Sequence, residues 1–246
     1  MDSGLYAACT ALMARTDALD TIANNLANSS TGGFRARHTT FSSVLAGSGR
    51  PLASQLNEAT NSYGLLGGSH LDMQQGSLAR TGSDLDVGID GPGFLTVKTA
   101  SGNAYTRNGS LQVSTQGQLI TATGEPVLGE NGPITIPRNS SVTISADGTI
   151  SANGAIAGKL KLVEFSATAD PQSMGSSYYT VPDKDVVAAS KSEVRQGMLE
   201  GSNVNPVASV IELINAQRAA EGMRHAMTMI DTEIDKTAAQ DLPRVS

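Results

Sequence analysis

Apolar positions at the N-terminus recur at alternating steps of three and four. Positions 5, 8, 12, 15, 19, 22 and 26 hold Leu, Ala, Leu, Arg, Leu, Ile and Leu, a heptad-type seam interrupted once at Arg15. The spacing predicts an amphipathic helix that ends at Thr31-Gly32-Gly33, where the glycines can take left-handed C-cap geometry. A second seam runs through Val210, Leu213, Ala216, Ala220, Met223, Met227, Ile230 and Ile234, widened by Val207, Ile211 and Ile214. Asn205-Pro206 suits its start, with Asn as N-cap and Pro at the first helical position, where no amide donor is needed. A helix from Pro206 to Lys236 would be roughly 45 Å long at 1.5 Å per residue.

Between the seams the period changes from helix to strand. FLTVKTASGNAYTRNGSLQVSTQGQLITATGEPVLG carries short β-prone runs separated by SGN, NGS, TQG and TGE, and PITIP, SVTISADGTIS and GKLKLVEF continue the pattern. Asp147-Gly148 is a candidate type I′ hairpin turn. Closely spaced turns without βαβ alternation predict an antiparallel β domain, sandwich-like or barrel-like. Residues 42–80, rich in Gly and Ser, read as an extended connector, and 170–200 as irregular strand and loop.

The expected fold class is therefore α+β: an antiparallel all-β central domain flanked by long N- and C-terminal helices that pair as a coiled-coil-like module. The expected boundaries are 1–41 for the N-terminal helix and cap, 42–80 for the connector, 81–200 for the β domain and 201–246 for the C-terminal helix.

Composition narrows the function. The 246 residues suffice for one large domain or two modest ones, and with 4% aromatics and no Trp the core must rest on Leu, Ile, Val and Ala. A net charge of −6 with dispersed basic residues gives no cationic stripe for nucleic acid. Apolar runs such as VASVI fall far short of a membrane span, and no basic n-region precedes an apolar h-region, so neither a span nor a cleaved signal peptide is expected. The single Cys9 excludes an intrachain disulfide framework and has no neighbouring His to activate it.

Chemical motifs are sparse. Asp84, Asp86 and Asp90 alternate with Leu85, Val87 and Ile89, which puts three carboxylates on one strand face, but the Glu and Gly of a calcium loop are missing. His38, His70 and His225 lack zinc-site spacing, GIDGPGF is neither GxGxxG nor a P-loop, and no GxSxG occurs. No catalytic residue, metal or cofactor is expected. What remains is the pair of narrow terminal seams. They either dock on the chain's own β domain or join copies from other subunits.

Several stretches then carry a resemblance. ANNLAN (23–28) with TGGF (31–34) resembles the N-terminal signature of flagellar axial proteins. LDVGIDGPGFLTV, YTRNGSLQV, GQLITATGEPVLG and QGMLEGSNVNPVASVIELINAQRAAEGM are similar to later segments of that family, in the expected order. Within it, the short chain, the MDSGLYAA opening and the compact connector resemble the basal-body rod proteins of the FlgF type, in the proximal rod. Leu95 and Ala220 depart from it, because aromatics are usual there.

The resemblance implies a structural subunit without enzymatic activity, exported uncleaved through the flagellar type III apparatus. It would co-assemble with other rod proteins and copies of itself into a periplasmic helical shaft that transmits torque to the hook. A distal-rod or hook-type axial protein is the near alternative, and a secreted β-rich adhesin or binding module the distant one. The expected assembly interface comprises Leu5, Leu12, Leu19, Ile22, Asn24, Asn25, Leu26 and Asn28 with Val210, Leu213, Ala216, Ala220, Met223, Met227, Ile230 and Ile234. Asn24, Asn25 and Asn28 stand out, since Asn is costly inside a lone helix and gains from partners across a subunit boundary.

Overall fold

A computed structural model describes residues 2–41, 66–175 and 177–241. Two α-helices occur among the described residues, α1 (Asp2–Ala27) and α2 (Pro206–Asp241), with antiparallel strands between them. Helix α2 begins at Pro206, where the Asn-Pro signal places it. Helix α1 stops at Ala27, earlier than the glycines. A turn follows, with Thr31 N–H donating to Asn28 O (3.1 Å) and the Thr31 hydroxyl to Asn28 Oδ1 (3.1 Å). Gly33 does take the left-handed conformation (φ 66°), but six residues past the helix.

The chain divides into two compact units, one holding 1–26, 37–69 and 206–246, the other 27–36 and 70–205. In the first, the Asn25 amide grips the backbone of Arg37: Nδ2 donates to Arg37 O (2.8 Å) and Oδ1 accepts from Arg37 N (2.9 Å). Strand Arg37–Phe41 pairs with strand Leu66–Leu71. Pairing of the two helices as a coiled-coil-like module is not seen among the described residues, which corrects that part of the expected fold. A coiled coil buries its a and d knobs, yet Arg15 is exposed and Val210 is 41% exposed. Among the described side chains of α1, the best buried, Ala14, Ala18 and Asn25, lie off the leucine seam.

The second unit is built on a six-stranded antiparallel sheet. Its strand order is Gln172–Gly175, Tyr178–Thr180, Gly102–Thr106, Phe94–Thr99, Leu162–Phe165, Val186–Ala188. Strand Phe94–Thr99 is buried on both faces. Leu95 and Val97 enter an aliphatic core with Val87, Ile89, Leu119, Val127, Ile150 and Leu160, each worth about 1.5–3 kcal/mol on burial. Phe94 turns the other way into a smaller aromatic core, stacked on Phe165 (4.4 Å) and edge-on to Tyr179 (5.9 Å). Four rings, Phe94, Tyr105, Phe165 and Tyr179, are thus gathered on one face of this sheet, while Tyr178 joins the aliphatic core and Phe34 packs with Ala36 and Val204.

A three-stranded sheet joins Val142–Ile144, Thr149–Ala152 and Ala155–Lys159. At the first connection only Gly148 has positive φ (82°), and its N–H donates to Ser145 O (2.9 Å). Asp147-Gly148 is therefore not the I′ turn expected, since that type needs positive φ at both central residues. The I′ pattern falls at Asn153-Gly154 (φ 50° and 84°), where Ala152 faces Ala155 across a two-residue loop.

Candidate functional site

The residues expected at an assembly interface sit as follows. On α1, Leu12, Leu19, Ile22, Leu26 and Asn28 are half-buried, Asn24 is exposed and Asn25 is buried. On α2, Leu213, Ala216, Met223 and Met227 are half-buried and Ala220 is buried. The side chains of Leu5, Ile230 and Ile234 lie outside the described residues. Val207 (70%), Ile211 (55%) and Ile214 (44%) make the first two turns of α2 an exposed apolar face together with Val210. Asn25 spends both functions of its amide on Arg37 within the chain, which is how an Asn is tolerated at this helix end.

A second constellation sits in the β-rich unit, where the segment 27–36 meets the segment 198–205. The Glu200 side chain is fully buried and accepts three hydrogen bonds. Arg35 Nη2 (2.6 Å) and Gly76 N (2.9 Å) donate to Oε1, and Arg107 Nη1 (2.8 Å) donates to Oε2. Arg107 also donates to the Gly91 carbonyl and lies 5.0 Å over the Phe94 ring. Burial lowers the Arg107 pKa from its usual value, and the Glu200 charge acts against that shift. Tyr179 accepts from Arg35 N (2.9 Å), and burial pushes its phenol up to about 12.

Backbone bonds surround the ions. Gly33 N donates to Glu200 O (2.9 Å), Gly201 N to Ser77 O (2.9 Å), and strand Met198–Glu200 pairs with Leu78–Arg80. Asn203 accepts from Ala36 N (2.7 Å) and donates through Nδ2 to Asp72 O (3.0 Å) and Gln74 O (3.1 Å). Glycines make the approach possible. A Cβ on Gly33 would lie 2.5 Å from the Arg107 carbonyl carbon, and one on Gly76 would lie 2.2 Å from Gly201 O.

Comparison with known proteins gives three family models in chain order. These are Flagella basal body rod protein over 5–35, Flagellar hook protein FlgE/F/G D1 domain over 88–152, and Flagellar basal body rod FlgEFG protein C-terminal over 195–240. Among relatives, the chain is 37% identical to Flagellar basal-body rod protein FlgF of Salmonella typhimurium, covering 94% of this chain and 95% of that protein. It is 36% identical to FlgF of Escherichia coli (94% and 95%), and 31% identical to the FlgG rod protein of Buchnera aphidicola from Acyrthosiphon pisum (96% and 98%). The chain belongs to the flagellar basal-body rod protein family, FlgF type.

In this rod protein the ionic cluster takes one residue from each matched segment: Arg35 from the first, Arg107 from the second and Glu200 from the third. Sequence reasoning did not find it. Its only local trace is charge inside otherwise apolar or Gly-rich stretches (GGFRAR, YTRNGS, MLEGSN), and nothing in those stretches says that they meet.

Asp90 pairs with Arg195 (3.3 Å), Asp86 pairs backbone to backbone with Ser110, and the three aspartates form no group that could hold a metal ion. Gly91 in GIDGPGF has φ 109° and packs on Lys191 and Ser192, a bend that points its carbonyl at Arg107. Glu125 Oε2 accepts from the hydroxyls of Thr121 (2.8 Å) and Tyr178 (2.9 Å) and from Thr123. These bonds, that of Thr123 first, hold its pKa at about 2. Among the described residues no group of three or more His, Cys, Asp or Glu could hold a metal, and no helix is long and apolar enough to cross a membrane.

Proposed function

We propose that the chain works as a non-catalytic structural subunit of the proximal rod, built into a helical shaft that carries torque toward the hook. The observation that carries this reading is similarity to rod proteins over nearly the whole chain, with the three matched segments in order. Neighbours would be other rod proteins and copies of itself, reached by flagellar type III export and assembled in the periplasm.

The assembly interface lies on the two helices. It comprises Leu5, Leu12, Leu19, Ile22, Asn24, Leu26 and Asn28 of the N-terminal segment and the seam from Val210 to Ile234 of α2, with Asn25 holding the helix end in place. The exposed Val207, Val210, Ile211 and Ile214 support this reading, because a helix face of that character gains by burial against a neighbour. Contacts between unlike faces that do not close on themselves generate a helical tube.

The test is complementation of a strain deleted for this chain. Removal of residues 224–246 is expected to leave a folded β-rich unit that enters no rod, and Ile230→Asp is expected to abolish incorporation with β-type circular dichroism retained. Normal swimming by either variant overturns the reading, and purified basal bodies in which the chain lies distal to the proximal rod favour the FlgG-like alternative.

A further inference from the structure

Four stretches distant in sequence converge on one buried carboxylate, Glu200: Arg35, Gly76, Arg107 and its own strand. Two guanidinium groups face that single carboxylate, so the cluster holds one cation in excess with all three side chains shut away from water. Such a group is costly to open in part. Withdrawing 27–36 strips Glu200 of its Arg35 donor and of the Gly33 N–H on its carbonyl, and withdrawing 198–205 leaves two buried guanidiniums with no anion. Gly33 N donating to Glu200 O and Asn203 N donating to Phe34 O tie the same two segments backbone to backbone, and the Asn203 side chain accepts from Ala36 N. The chain has one cysteine, so no intrachain disulfide does this work.

We propose that Glu200 is a clasp that makes the segment following α1 and the segment preceding α2 a single cooperative unit, which opens together or not at all. Neither family membership nor the helix interface requires this. The consequence for a shaft subunit is that load applied at one end of the β-rich unit is shared by the two segments instead of peeling one away.

Hydrogen exchange of the full chain tests the clasp without reference to motility. The amides of Gly33 and Ala36 on one side, of Gly201 and Asn203 on the other, and of Gly76, which donates to the same carboxylate, are expected to share one opening equilibrium. Glu200→Gln is expected to speed all five by on the order of 100- to 1,000-fold, the range for an uncompensated buried charge, with Leu119 N–H, bonded to Ile134 O, affected less. Leu119→Ala, a comparable loss in the aliphatic core, should leave the five amides exchanging no faster than the core. Should Glu200→Gln fail to fold, Asn203→Ala, which uncovers no charge, is expected to loosen both sides equally. Unequal protection of the two sides in the unaltered chain, or acceleration confined to one side in either variant, overturns the proposal.

Discussion

Gly32 and Gly33 are neighbours in TGGF, and the structure assigns them opposite costs. In Gly33→Ala the new Cβ would stand 2.5 Å from the Arg107 carbonyl carbon and from Asn108 N, against an ordinary contact of at least 3.4 Å. The segment must retreat by 3.4 − 2.5 = 0.9 Å. That would stretch the Gly33 N–Glu200 O bond from 2.9 Å beyond hydrogen-bonding range. Losing it costs about 1 kcal/mol, and holding Ala at φ 66° adds about 1–2 kcal/mol. The expected total is roughly 2–3 kcal/mol before any damage to the Arg35–Glu200 pair. In Gly32→Ala the nearest atoms are 3.4 Å away and φ is not positive, so the change should be near neutral. The assay is urea unfolding of the purified full chain followed by tyrosine fluorescence, since the chain lacks Trp. Equal midpoints for the two variants, or a loss under about 0.5 kcal/mol for Gly33→Ala, would refute the packing argument.

Other expectations follow from single groups. Asn25→Leu leaves the Arg37 N–H and C=O without their side-chain partner. It should cost about 1–3 kcal/mol locally, read as faster exchange of the Arg37 amide with Leu119 unchanged. Tyr179→Phe removes the acceptor of the Arg35 amide from a buried site and should lower stability by about 1–2 kcal/mol while the ring packing on Phe94 persists. Glu125 has a folded pKa of about 2 against 4.5 for the free group, so its stabilisation is complete above about 4.5 and is lost as pH falls through about 2. Its side chain is partly exposed, so the effect is screened and modest. The urea midpoint difference between the unaltered chain and Glu125→Gln should be constant from pH 7 to about 5 and vanish near pH 2; a difference that persists at pH 2 contradicts the assignment.

Much of this protein is written in local pattern. The two long apolar repeats, the Asn-Pro start of α2, the change to strand period and the chain-length resemblance to rod proteins all depend on residues within a few positions of one another. Such signals survive without tertiary context because backbone preference and side-chain periodicity are short-range. Turn type was already less legible. Asp147-Gly148 and Asn153-Gly154 both suit a I′ turn, and strand register allotted it to the second.

The face that each helix buries also lay beyond pattern. Ala14 and Ala18 are buried while the leucine seam beside them is only half-buried, because burial follows from what surrounds a helix and not from its own repeat. Asn25 looked costly until Arg37, twelve residues on, supplied both its partners. The Glu200 cluster lay furthest out of reach. Arg35, Arg107 and Glu200 are ordinary surface-type residues in sequence, separated by up to 165 positions. Only the fold brings them together, because a buried charge is tolerable solely where the topology delivers its counter-ion.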